Sequence, residues 1–196
     1  MGLFSKLIGN KNAAMLCCFD IAKPILATSS QNALNLAKYK DLFKHEEREI
    51  IAIMITMKFV HLYMHIFDRL FIDAYGQQKL SKAQEILFQV IANEFRKMFP
   101  NFFEDNTNFC NKFFSSFTTL ETLLLACEGI IPPHMALAKG GNSVVSVFSK
   151  AIGDSVLNSS DAAFIDDICL NASEGFTSLF MAQKMQNTLA KLASFV

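Results

Sequence analysis

Two histidines and an aspartate, His61, His65 and Asp68, stand at positions i, i+4 and i+7 of a strongly apolar stretch. In an α-helix that spacing places all three on one stripe. Two imidazoles and a carboxylate are the donor set of a zinc or non-haem iron site. Most of the charge on this stretch shares that arc, however: Lys58 and Arg69 lie beside the histidines, with Glu47, Arg48 and Asp73 farther along. Cations so placed oppose a metal's charge, and the glutamate and glycine of an HExxH zincin are missing. The stripe is therefore expected to be a solvated or interface face laced with ion pairs. A Zn- or Fe-dependent enzyme, or a metal-binding bundle, using His61, His65 and Asp68 with Glu94 or Glu121 is the alternative.

Those two glutamates form the second feature. On a helix predicted over Lys82–Phe99, Glu94 falls between Leu87 and Ala83 in the apolar arc. On one predicted over Thr107–Glu128, Glu121 falls between Cys110 and Phe114. A carboxylate facing a core must be protonated, paired or metal-bound. Bundles with di-metal centres use Glu-x-x-His pairs, but here Lys97 follows Glu94 and Leu124 follows Glu121. Ion pairs with Arg69, Lys58 or His65 on the long helix are expected instead. Phosphate-binding loops, dinucleotide fingerprints, nucleophile elbows and EF-hand loops are absent from the sequence. Gly140-Gly141 reads as a flexible helix cap, and His134, after Pro132-Pro133, has no partner in sequence.

The elements that must position these groups read as helices throughout, since neither sustained alternation nor an Asn-Gly or Asp-Gly turn occurs. Gly9–Asn12 separates a short amphipathic piece from a helix over 13–22, which Lys23-Pro24 ends. Ser29-Ser30 caps a helix to Lys44. The long helix, His45–Tyr75, stops at Gly76, and a capping box at Ser81–Gln84 opens the next. Pro100 ends that helix, and Gly129 ends the one holding Glu121. Residues 130–134 are extended. Three more helices follow, one to Ile152, one to Asn171 and one over Gly175–Phe195. The expected fold is all-α: a single-domain bundle of six to eight helices around the 45–75 helix, with residues 1–23 a loosely attached basic segment.

Composition narrows the function classes. The chain has 196 residues, 52% of them hydrophobic and 18% charged, with 20 Phe, no Trp and zero formal net charge. A polyanion binder would need a basic excess, so no nucleic-acid partner is expected. The charge is uneven: six lysines face two aspartates in residues 1–44, and five lysines face nine acids in residues 99–196. The basic start is expected to pack on the acidic half or on a second subunit. The alternative is peripheral membrane contact through Leu3, Phe4, Leu7 and Ile8. Asp20 interrupts the only candidate secretory signal, and Lys6 stands where a myristoylation motif needs Ser or Thr. The 50–67 run is long enough to cross a bilayer but carries Lys58, His61 and His65 at its centre. Five cysteines without a CxxC are expected to be reduced and buried, in a cytoplasmic protein. The functional expectation is a non-catalytic bundle acting through protein–protein or apolar-ligand binding, as a homo-oligomer and most simply a homodimer, with no cofactor.

Overall fold

The computed structural model describes residues 3–42, 48–100, 120–130, 142–157 and 162–196, and over these the protein is an all-α bundle. Six long helices run in chain order: α1 Leu3–Asn35, α2 Arg48–Tyr75, α3 Gln77–Met98, α4 Val144–Leu157, α5 Ala162–Phe180 and α6 Gln183–Phe195. A 3-10 turn, Leu36–Leu42, follows α1, and residues 120–125 are helical.

Two helices share the centre. On α2, every residue from Phe59 to Asp68 is buried, so the helix is covered on all sides over nearly three turns. Helix α1 packs along α2, α3, α5 and α6. It does so through Ala14, Cys17, Cys18, Ile21, Ala22, Ile25 and Leu26, all buried at helical spacing. This corrects the expectation of a loosely attached 1–23 segment: Ala14 to Ala22 is part of the core. The side chains of Leu3, Phe4, Leu7 and Ile8 lie outside the described residues.

Pro24 also departs from expectation, for it sits inside α1 rather than after a helix end. Proline removes one intrahelical hydrogen bond, at roughly 3 kcal/mol. The continuous buried stripe on either side of Pro24 offsets that cost. Ser29 and Ser30 are therefore helix-interior residues and not caps.

Gly76 terminates α2 as expected. Its φ of 87° lies in the left-handed region, and its N–H donates to the Ile72 carbonyl at 2.9 Å. The chain turns there so tightly that α3 begins at Gln77, with Gly76 as its N-cap residue. Ser81 is thus inside α3, its hydroxyl donating to the Gln77 carbonyl, and the expected capping box is not formed. Toward the other end, Ser143 caps α4 by accepting the Ser146 N–H at 3.2 Å.

Helix α5 continues past Asn171 and Gly175 to Phe180, where separate helices were expected. Both residues serve contacts across the bundle instead. The Asn171 side chain donates to the Asp167 carbonyl and accepts from Asn35 at 2.7 Å. Gly175 lies against the Tyr63 hydroxyl. Asn32 completes the seam, donating to the Tyr63 hydroxyl at 2.6 Å and to the Asn171 carbonyl at 3.2 Å. Helices α1, α2 and α5 are thereby joined by a buried polar network, in which burial pushes the Tyr63 phenol up.

Two stretches, 10–39 and Arg48–Tyr75, have the length and hydropathy of a membrane span. In Arg48–Tyr75 most of the apolar residues are turned into the bundle, with Ile50, Met54 and Ile72 left exposed. Cys17, Cys18, Cys127 and Cys169 are free and buried. Burial raises all four thiols, Cys18 to about 12. None of them is an activated nucleophile.

Candidate functional site

The sequence-predicted stripe on α2 is buried and not solvated. His61 and His65 are each 1% exposed and Asp68 7%, while Lys58 is half-buried. Burial pulls the Lys58 ammonium down. The stripe is covered from two sides. Gln84 of α3 donates to Asp68 Oδ2 at 2.7 Å, and Glu121 of the 120–125 stretch bonds His65 Nδ1 at 2.7 Å.

Arg69 fixes the direction of these bonds. Its Nε–H donates to His65 Nε2 at 2.9 Å, so Nε2 carries no proton. The imidazole proton is therefore on Nδ1 and is donated to Glu121 Oε1. Carboxylate, imidazole and guanidinium form a single chain across two elements. The Arg69 Nη2 donates in addition to the carbonyls of Leu124 at 2.9 Å and Cys127 at 2.8 Å. Those carbonyls lie where the helical residues 120–125 end, the Leu124 oxygen also accepting the Cys127 N–H at 3.2 Å, and a cation is favoured at such an end. Just beyond, residues 128–130 are tied to the start of α4: Val144 N–H donates to the Gly129 carbonyl at 2.7 Å and Val145 N–H to the Ile130 carbonyl at 3.1 Å. Residues 120–130 are thus held by Arg69 and His65 on one side and by α4 on the other.

This geometry occupies the His65 nitrogens that the metal reading would use. Both ring nitrogens of His65 are engaged, one by the Arg69 guanidinium, so the lone pair a metal needs is already directed at a cation. Among the described residues, no group of three or more His, Cys, Asp or Glu side chains is arranged to hold a metal ion. His61 is buried one turn before His65 on the same helix. Glu94 departs from expectation as well: it pairs with Lys97 on its own helix, near the surface, and not with Lys58, His65 or Arg69 of α2. His134 and Gly140-Gly141 lie outside the described residues. As general-base chemistry, the Glu121–His65 pair has no access to a substrate, since His65 is buried and its second nitrogen is bonded.

What the cluster leaves open is two oxygens. Asp68 Oδ1 and Glu121 Oε2 are buried and have no hydrogen-bond partner among the described residues. Burial, with Glu121 adding to it, pushes the Asp68 carboxyl up to about 8, against a small downward pull from the Gln84 hydrogen bond. Asp68 thus holds its proton at neutral pH, which lowers the cost of the unpaired oxygen.

Open space lies elsewhere. One cleft of about 320 Å³ is formed by Ser30, Ala33 and Leu34 of α1, by Glu49, Ala52, Ile53 and Thr56 of α2, and by Met98 and Phe99 at the end of α3. Its walls are almost wholly apolar. The Thr56 hydroxyl is turned back to its own helix, donating to the Ala52 carbonyl at 2.9 Å. Leu34 is 65% exposed and Met98 42%, so the cleft has an apolar rim as well. A second cleft of about 320 Å³ flanks Pro24, between Asp20 and Lys23 of α1 and Lys184, Met185 and Thr188 of α6. It is lined by charges of both signs. Sequence reasoning missed the first cleft, because its walls are ordinary apolar helix residues whose convergence depends on how three helix ends meet. Comparison with protein-family models, with curated proteins and with solved structures finds no match for this chain.

Proposed function

We propose that this protein is a non-catalytic helical bundle that binds a small apolar molecule in the cleft between α1, the start of α2 and the end of α3. The observation that carries the reading is the cleft itself: about 320 Å³ with Ala33, Leu34, Ala52, Ile53, Met98 and Phe99 in its walls. Ligand sites are concave, mostly apolar and commonly begin near this volume. A cavity of roughly 150 Å³ accepts benzene, so this one suits a molecule about twice that size. Glu49, on the exposed first turn of α2, sits at the edge where a polar or cationic end of the ligand would project. The buried cluster around His65 serves in this reading to hold the bundle together and not to do chemistry.

N-phenyl-1-naphthylamine, a neutral apolar dye, tests the reading by fluorescence titration. At about 0.3 kcal/mol per non-hydrogen atom or better, the dye's roughly 17 atoms correspond to a Kd on the order of 100 µM or tighter. Ala52 is exposed at the edge of the cleft, so Ala52→Phe fills it without entering the core. The variant is expected to weaken dye binding at least about tenfold with its unfolding midpoint unchanged, which corresponds to a loss of about 1.4 kcal/mol. Equal titrations of the two proteins would refute the site.

The same proposal extends to assembly and location, as a cytoplasmic homodimer. It is supported by free buried cysteines and by large apolar side chains left on the surface, among them Leu16 at 66%, Leu125 at 66% and Met181 at 60% exposure. Light scattering on the purified chain is expected to give a mass near twice 21.9 kDa, and a monomer mass at micromolar concentration would reject the dimer.

A further inference from the structure

We propose that Asp68 is a proton latch for residues 120–130: protonated, it leaves the buried Glu121–His65–Arg69 chain electrically balanced and the segment docked, and ionised, it sets a second carboxylate beside Glu121 and loosens that segment. The inference is independent of the ligand cleft, which the cluster does not touch.

The argument begins with the charges that meet at this point. His65 is neutral in the hydrogen-bonded arrangement because its Nε2 accepts from Arg69. Glu121 carries one negative charge and Arg69 one positive, so the chain is balanced while Asp68 keeps its proton. The charged group acting on Asp68 from a neighbouring element is Glu121; α3 presents the neutral amide of Gln84. Its own helix presents His65 three residues before it and Arg69 immediately after. Arg69 is already committed to His65 and to the Leu124 and Cys127 carbonyls. Among the described residues no further donor reaches Asp68 Oδ1 or Glu121 Oε2. Ionising Asp68 therefore creates a buried charge with one hydrogen bond and a like charge nearby, and the cost of that state is high.

The charged pair can be relieved where the structure yields most easily. Asp68 belongs to the fully covered middle of α2, whereas Glu121 is half-buried, beside the exposed Thr122, Leu123 and Leu125, in a stretch tied to α2 by the His65 and Arg69 side chains. Moving 120–125 outward hydrates both carboxylates and breaks the His65 and Arg69 contacts together. The sign follows from the direction of the shift. A carboxyl held above its ordinary range when docked favours the docked state below that range and withdraws its support as pH rises. Burial places the docked Asp68 carboxyl at about 8, so support for the docked state is lost progressively from the ordinary carboxylate range up to about pH 8 and is gone above it.

Amide hydrogen exchange on the full-length chain at pH 6.5 and pH 9, corrected for the intrinsic pH dependence of exchange, tests the latch. In the wild type, protection of amides in 120–130 is expected to fall at least tenfold between the two conditions, while amides of α6 keep theirs. Asp68→Asn, which retains an acceptor for Gln84 but cannot ionise, is expected to show no such fall. Glu121→Gln removes the like charge and is expected to move the transition to lower pH, an effect that loss of a merely structural contact would not produce. If either variant fails to fold, carbon-13 carboxyl NMR of wild-type Asp68 decides alone: a midpoint near neutral or above, tracking the Leu124 and Cys127 amide shifts, supports the latch. Wild-type protection equal at both pH values, or an Asp68 midpoint near 4, overturns it.

Discussion

Gly175→Ala is expected to destabilise the protein by about 3 kcal/mol or more, although alanine is the better helix former. A methyl at this position would stand 1.8 Å from the Tyr63 hydroxyl oxygen, 2.7 Å from Tyr63 Cζ and 3.1 Å from Thr28 Cγ2. Helix propensity favours the substitution by about 1 kcal/mol. Overpacking of a dense core commonly costs 1–3 kcal/mol and more when neither partner can move, roughly the case here. Tyr63 is fully buried, with Phe59 on one side and Phe180 on the other, and its hydroxyl is held by Asn32. The clash must therefore be relieved by shifting α5 away from α2, which opens the Asn32–Tyr63–Asn171 seam. Chemical denaturation measures the loss directly. Tyr63→Phe in the Gly175→Ala background removes the nearest atom and is expected to recover part of it. An unchanged denaturation midpoint for Gly175→Ala would show that the helices are farther apart than described.

Arg69→Ala is expected to cost about 3–5 kcal/mol, the range for removing one member of a buried charged network. The substitution leaves His65 Nε2 and the Cys127 carbonyl without their side-chain donor, the Leu124 carbonyl with only the Cys127 N–H, and Glu121 without its compensating charge. Arg69→Lys is expected to restore less than half of this. A lysine ammonium can reach one of these acceptors but lacks the planar fork that serves an imidazole and two carbonyls together. The comparison of the three proteins by thermal unfolding is informative in itself. A lysine variant as stable as the wild type would mean that charge alone, and not the fork, holds 120–130 in place.

The sequence and the structure agree where a signal is local. Gly76 marks a chain reversal because only a left-handed residue can make one there, and Pro100 limits α3 because proline restricts the residue before it. The absence of alternating patterns is enough to read an all-α chain. Disagreement begins where a local signal competes with packing. Pro24 and Asn171 both read as helix ends, and both lie inside helices whose buried faces continue across them. A wheel correctly placed Lys58, His61, His65, Asp68 and Arg69 on one arc of α2, but it carries no information on what covers that arc. Since most of the charge on the helix collects there, solvent was the natural reading. The cover is Glu121, some 56 residues away in sequence, with Gln84 beside it. Glu94 illustrates the reverse case: its wheel position faces the core, yet the side chain reaches Lys97 one turn on and leaves the core to its apolar neighbours. The apolar cleft was not legible at all, because Leu34, Ala52 and Met98 each read as ordinary helix surface until the ends of three helices are brought together.

The most direct test of the ligand-binding account is methyl NMR of the wild-type chain during titration with N-phenyl-1-naphthylamine. Shifts are expected to be concentrated at the methyls of Leu34, Ile53 and Met98, which line the α1–α2–α3 cleft, with those of Met185, beside the second cleft, unmoved. Shifts centred on Met185, or none at saturating dye, would contradict the account.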